Sequence, residues 1–194
     1  MDDITSLLEE VLATREKRQS KAPVFLMGHS MGGAEILYWA AKGPETLRHK
    51  IRGFIASAPY IALHPASQPS RALVIAGRIA LRIMPKFQME QRLEPDRLCR
   101  DPAVGKSYNE DELCHNIGTL EGLSGMIDRG EDLEKGKVVV QEGSVYVVQG
   151  TGDLVTHYDT TRNLFERMPV TDKTLKTYDG WYHVRQYTRS IDDR

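Results

Sequence analysis

The chain opens with apolar residues at helical spacing. Ile4, Leu7, Leu8, Val11 and Leu12 recur every three or four positions among charged neighbours, which predicts an amphipathic helix over 3–18, with Asp2 or Asp3 able to cap its start. A short polar connection at 19–22 follows. Pro23 then leads into VFLMG, an apolar run without alternation, as in a strand buried on both faces of a parallel sheet. Helical spacing resumes after Gly33 with Ile36, Leu37, Trp39, Ala40 and Ala41, and Gly43-Pro44 stops it. Three more strands read from GFIASA at 53–58, VYVV at 145–148 and LKTY at 175–178, with a helix at 159–168 between the last two. Strand, helix, strand, repeated, predicts an α/β fold with a mostly parallel sheet flanked by helices.

The stretch between the second and third strands is far longer than one crossover helix uses. Residues 61–143 therefore read as an inserted helical cap, and 1–60 with 144–194 as the core. The insertion holds an apolar helix at 71–84, a charged middle at 90–115 and a helix near 117–129.

Composition narrows the function classes. With 194 residues, 40% hydrophobic, 27% charged and a formal net charge of −1, the chain has the makeup of a soluble globular protein. It has no basic run that would track a nucleic acid. Two cysteines, Cys99 and Cys114, are too few for a disulfide framework, and no His/Cys cluster has metal spacing, so neither metal nor cofactor is expected. The N-terminus has acidic residues where a signal peptide carries basic ones, and no uncharged apolar run is long enough to span a bilayer. The expected setting is reduced and cytoplasmic.

The chemistry concentrates at residues 28–33, Gly-His-Ser-Met-Gly-Gly. Gly28, Ser30 and Gly32 match G-x-S-x-G, the nucleophile elbow, in which a serine on a sharp strand-to-helix turn presents its hydroxyl and flanking glycines avoid clashes. The bare pattern occurs by chance in roughly one chain in fifteen of this length, so context decides. Here it follows a buried strand and opens a helix, as an elbow requires. The Met31 amide, next after the serine, is the expected oxyanion donor.

A serine nucleophile needs a base, and the base an orienting acid, in chain order Ser, acid, His on loops after later strands. Asp153 follows the third strand in QGTGD and His183 follows the fourth in DGWYH. His157 is the second candidate base, and Asp179 and Asp159 are alternative acids, although Asp159 is well placed to cap the next helix. His29 adjoins Ser30 but should point away from it. His49, His64 and His115 read as solvated or capping residues, and Ser57 as a buried small residue.

PVFLMGHSMGGAEIL, IASAPYI, TGDLVT and TLKTYDGWYHV resemble, segment by segment, the monoacylglycerol lipase branch of the α/β-hydrolases, a group that includes serine aminopeptidase-like hydrolases and lysophospholipases. The likeness runs over the whole chain, more loosely in the cap, and leans toward fungal members. It implies an α/β-hydrolase fold, the triad Ser30, Asp153 and His183, and a monoacylglycerol or related lipid ester as substrate. The family has strands before the elbow, a His-Gly loop with a second oxyanion donor and a last helix, none of which is read here. The chain therefore resembles a form truncated at both ends, and the elbow strand would lie at a sheet edge, open to aggregation or pairing.

In the cap, Arg71, Arg78 and Arg82 fall at i, i+7 and i+11 on one face of a helix whose remainder is apolar, from Leu73 to Met84. Such a helix can lie on a membrane or lipid droplet and admit lipid, or simply pack on the core. Three functions compete: a lipid-ester hydrolase; another triad hydrolase acting on a peptide, thioester or lysophospholipid; and an inactive fragment that binds a partner through its open edge.

Overall fold

A computed structural model describes residues 1–114 and 116–184. The expectation for His115 and the end of the second core segment, 185–194, lie outside the described residues, as does the side chain of Arg71. The elements run α1 (Asp2–Lys17), β1 (Phe25–His29), α2 (Met31–Lys42), α3 (Glu45–Arg48), β2 (Gly53–Ser57), α4 (Arg71–Leu81), β3 (Gln88–Glu90), α5 (Pro95–Leu98), α6 (Pro102–Glu110), β4 (Ile117–Thr119), α7 (Leu120–Glu134), β5 (Val145–Gly150), α8 (Tyr158–Arg167) and β6 (Lys173–Tyr178).

The main sheet has the order β1-β2-β5-β6 and every pairing in it is parallel. β2 and β5 are central and buried almost throughout, as their unalternating sequences require. β1 lies at the sheet edge, where the resemblance put it, but against its own apolar pattern. Its run reads as a central strand, but it stands at the sheet edge with Phe25 51% and Met27 65% exposed, and only alternate residues are half-buried. An apolar run records that its residues could be covered on both faces; it does not record whether a neighbour covers them.

The core lies between this sheet and its helices. α2 buries Ile36, Leu37, Trp39 and Ala40, one face of a helix, and α1 adds Leu8 and Leu12. Trp39 is fully buried and its indole N–H donates to Thr5 Oγ1 at 3.0 Å, so its polar atom is satisfied. Each such large apolar side chain contributes about 1.5–3 kcal/mol on burial. Met1 is the N-cap residue of α1; Asp2 and Asp3 lie in its first turn, where their charge suits the helix dipole, and make no cap bond.

Within 61–143, α4 packs on α7, and β3 pairs with β4 as a two-stranded antiparallel ribbon that periodicity did not reveal. α7 is longer than the helix read near 117–129 and reaches the core, where its Leu133 joins the main cluster together with Val138 and Val140 from the segment after it. Arg78 meets Asp128 at 3.2 Å and Glu131 at 3.4 Å on α7, so this arginine of the basic stripe turns to a neighbouring helix. Leu73, Ile75, Ile79, Ile83 and Met84 stay exposed. Among the described residues no helix is long and apolar enough to cross a membrane.

Candidate active site

β1 ends and α2 begins at Ser30, and the backbone there is strained as an elbow demands. Ser30 has φ 54° and ψ −120°, outside the regions that a non-glycine residue adopts freely. The strain is held by neighbours: Ser30 N donates to Ser57 O at 2.9 Å, and Ser30 O accepts from Ala34 N at 3.2 Å and Tyr60 N at 2.9 Å. Gly28 is sterically required, because a Cβ there would stand 2.2 Å from Gly32 O. Gly32 differs from expectation: a Cβ at that position meets nothing within 4 Å, so no clash in this turn explains it.

Asp153 and His183 come together at the carboxyl ends of β5 and β6. His183 Nδ1 donates to Asp153 Oδ2 at 2.9 Å, and both side chains are almost wholly buried. The carboxylate is saturated with donors. Oδ1 accepts from Val155 N at 2.8 Å and Thr156 N at 2.9 Å; Oδ2 also accepts from the Thr156 hydroxyl at 2.7 Å and Gln149 Nε2 at 3.4 Å. Burial pushes the Asp153 carboxyl up, but the His183 hydrogen bond and charge, with the hydroxyl and amide of Thr156, outweigh it and hold the group below its ordinary value. The acid is thus an anion at neutral pH, which fixes His183 with Nδ1 protonated and Nε2 able to act as a base.

The rivals take other places. The imidazole of His29 lies against that of His183, ring centroids 4.7 Å apart, so the residue before Ser30 touches the candidate base; its Nδ1 also meets Ser57 Oγ at 3.3 Å. Ser57 itself is buried at the end of β2. His157 is the N-cap residue of α8 and its Nδ1 pairs with Thr160 Oγ1 at 2.9 Å. Asp159 lies in the first turn of that helix and supplies no cap, so the helix start is marked by a different residue from the one expected. Asp179 is exposed and accepts from Thr151 Oγ1 at 3.0 Å. His64 caps a short 3₁₀ turn by accepting from Ala66 N, and His49 is exposed beside Glu45. Thr156 and Gln149 went unread in the sequence; a threonine three residues after a candidate acid was their only signal.

A cavity of about 570 Å³ opens onto Ser30 and Met31. Leu63, Val74, Leu120, Leu123 and Ile127 give it an apolar wall, and Gln91, Arg92 and Arg97 are among its polar lining residues. Among the described residues no group of three or more His, Cys, Asp or Glu could hold a metal ion.

The chain matches the family described as serine aminopeptidase, S33, over residues 1–185. It is 31% identical to the monoglyceride lipase of Rattus norvegicus, covering 93% of this chain and 57% of the rat protein. A solved monoacylglycerol lipase of Paleococcus ferrophilus is 31% identical with a TM-score of 0.73, over 94% of this chain and 65% of that one. A soluble variant of Saccharomyces cerevisiae monoglyceride lipase, solved with a substrate analog, matches in fold with a TM-score of 0.84 at 24% identity, over 94% of this chain and 60% of that one. The chain spans about half the length of the curated monoglyceride lipases it matches.

Proposed function

The chain belongs to the serine aminopeptidase S33 family of α/β-hydrolases, and from that premise we propose that it carries the machinery of a carboxylic-ester hydrolase acting on monoacylglycerol-like lipids. The observation that carries the reading is the buried Asp153–His183 pair at the end of the same sheet that presents a strained Ser30 to an apolar cavity.

In this mechanism Ser30 Oγ attacks the ester carbonyl while His183 Nε2 takes its proton. Asp153 keeps Nδ1–H pointed at its own Oδ2 and stabilises the imidazolium. The Met31 amide, at the start of α2 where the helix dipole is positive, donates to the developing oxyanion. His183 returns the proton to the leaving glycerol oxygen, an acyl-enzyme remains on Ser30, and water activated by the same imidazole releases the acid. No step calls for a metal or cofactor. The apolar wall of the cavity suits an acyl chain better than the charged amino terminus of a peptide, which favours a lipid ester over a peptidase substrate.

Residues 1–60 and 144–194 act in this reading as the core and 61–143 as the cap, with α7 as the wall they share. The cap's outward apolar residues on and after α4 supply peripheral contact with a membrane or lipid droplet, from which lipid enters. The test is release of fatty acid from monoacylglycerols of graded acyl length, with Ser30→Ala as the blank. Turnover that rises with chain length, absent in the variant, supports the reading. Turnover of a peptide or thioester in preference to every monoacylglycerol contradicts the substrate.

A further inference from the structure

The loop that carries His183 is gripped from two sides. On the core side, Gly180 N donates to Thr151 Oγ1 at 2.7 Å, Gly152 N donates to Trp181 O at 3.0 Å, and Trp181 stacks on Tyr178 with ring centroids 4.4 Å apart. The other side comes from the insertion, from the end of α5 and the residues that follow it. Val184 N donates to Leu98 O at 2.9 Å. Arg100 donates from Nη2 to Gly180 O and lays its guanidinium over the Tyr182 ring, 4.9 Å from the centroid. These contacts bracket the imidazole: Gly180 and Tyr182 precede it and Val184 follows it.

The grip has a firm base and an exposed hand. Leu98 and Cys99 are buried at 5% and 4%, so the segment is anchored, whereas Arg100 is exposed. Gly180 has φ +65°, a left-handed conformation that glycine adopts without strain, and its carbonyl accepts from Arg100. An arginine fits this place for a chemical reason. Its planar fork can hydrogen-bond a carbonyl through one nitrogen while its flat face covers an aromatic ring.

We propose that Arg100 is a positioning residue for His183, a cap side chain that fixes the loop of the base and so ties acyl transfer to the seating of the cap. The inference rests on the reading of Ser30, His183 and Asp153 as a triad. An exposed arginine contributes little to global stability. A shift of the loop, in contrast, misplaces His183 relative to the reacting groups, and misplacement of about 1 Å costs roughly 10²-fold in rate.

The test compares Arg100→Ala, Arg100→Gln and Arg100→Lys with the unaltered chain on a short soluble ester, together with thermal melting. Arg162→Ala, which removes an exposed arginine that pairs with Glu166 on α8, is the control. Arg100→Ala is expected to lower kcat by roughly 10- to 100-fold with KM within about twofold and an unchanged melting temperature. Arg100→Lys, which keeps a donor and a cation over Tyr182, recovers part of that loss and Arg100→Gln recovers less. A kcat for Arg100→Ala equal to that of the unaltered chain overturns the proposal. So does a loss that follows a fall in melting temperature and is not rescued by lysine. An unaltered chain that neither turns over ester nor reacts with a fluorophosphonate overturns the triad reading, and this inference with it.

Discussion

Thr156→Val isolates one contact of the candidate acid. Thr156 is fully buried, and valine has nearly its shape, so no cavity opens. What disappears is the hydroxyl that donates to Asp153 Oδ2 at 2.7 Å, with Ala58 O at 3.4 Å as a weaker second acceptor, and accepts from Gln149 Nε2 at 3.0 Å. Both backbone donors to Oδ1 remain, as do the carbonyl of residue 156 for Gln149 and the His183 bond. The change therefore removes one hydrogen bond to a buried carboxylate, about 1.5–3 kcal/mol. For a chain of this size that lowers the melting temperature by roughly 3–12 °C. The effect has a pH signature. The folded Asp153 lies below its ordinary value of 3.8, so the stability it contributes is fully present above that pH and is lost as pH falls through the folded value. Removing a donor to the carboxylate raises the folded value toward 3.8, so the penalty of Thr156→Val is constant at neutral pH and shrinks in acid. Urea denaturation at several pH values measures both. A penalty below about 0.5 kcal/mol at neutral pH, or one that does not fall in acid, refutes the account of how this carboxylate is held.

Three further outcomes are expected. Asp153→Asn lowers turnover of a short ester by about 10⁴-fold while the protein stays folded, whereas Asp179→Asn changes it little; the reverse result assigns the acid to Asp179. Tyr60 is pushed up to about 12 by burial and by the charges of Glu131 and Glu134, so its phenol is neutral in the folded state while it ionises near 10 in the unfolded one. Stability is therefore lost as pH rises from 10 toward 12, and Tyr60→Phe removes that part of the loss; identical alkaline denaturation of both proteins contradicts it. Ile79, 59% exposed on α4, is expected to touch lipid, so Ile79→Asp weakens sedimentation with phospholipid vesicles more than hydrolysis of a soluble ester, and equal losses in both remove the membrane reading.

Much of the fold is legible in the sequence because its signals are local. Gly28, Ser30 and Gly32 within one turn, the double-sided burial of GFIASA and VYVV, and the Gly43-Pro44 stop each depend on a few adjacent residues. The place of Asp153 and His183 is legible as well, since each follows a strand by a short loop. What escaped depends on partners distant in the chain. Phe25 and Met27 read as buried because residue type carries no record of whether a neighbour covers them. The β3–β4 ribbon is three residues a side and too short for periodicity. Thr156 matters only through the carboxylate beside it, and Arg100 only through a loop eighty positions later.

The central claim is that Ser30 is an activated nucleophile. Intact-mass measurement of the purified chain after exposure to a fluorophosphonate probe, beside Ser30→Ala, tests it most directly. A single adduct on the unaltered chain and none on the variant is the expected result. No adduct on a chain that melts cooperatively, or an adduct that survives Ser30→Ala, contradicts the claim.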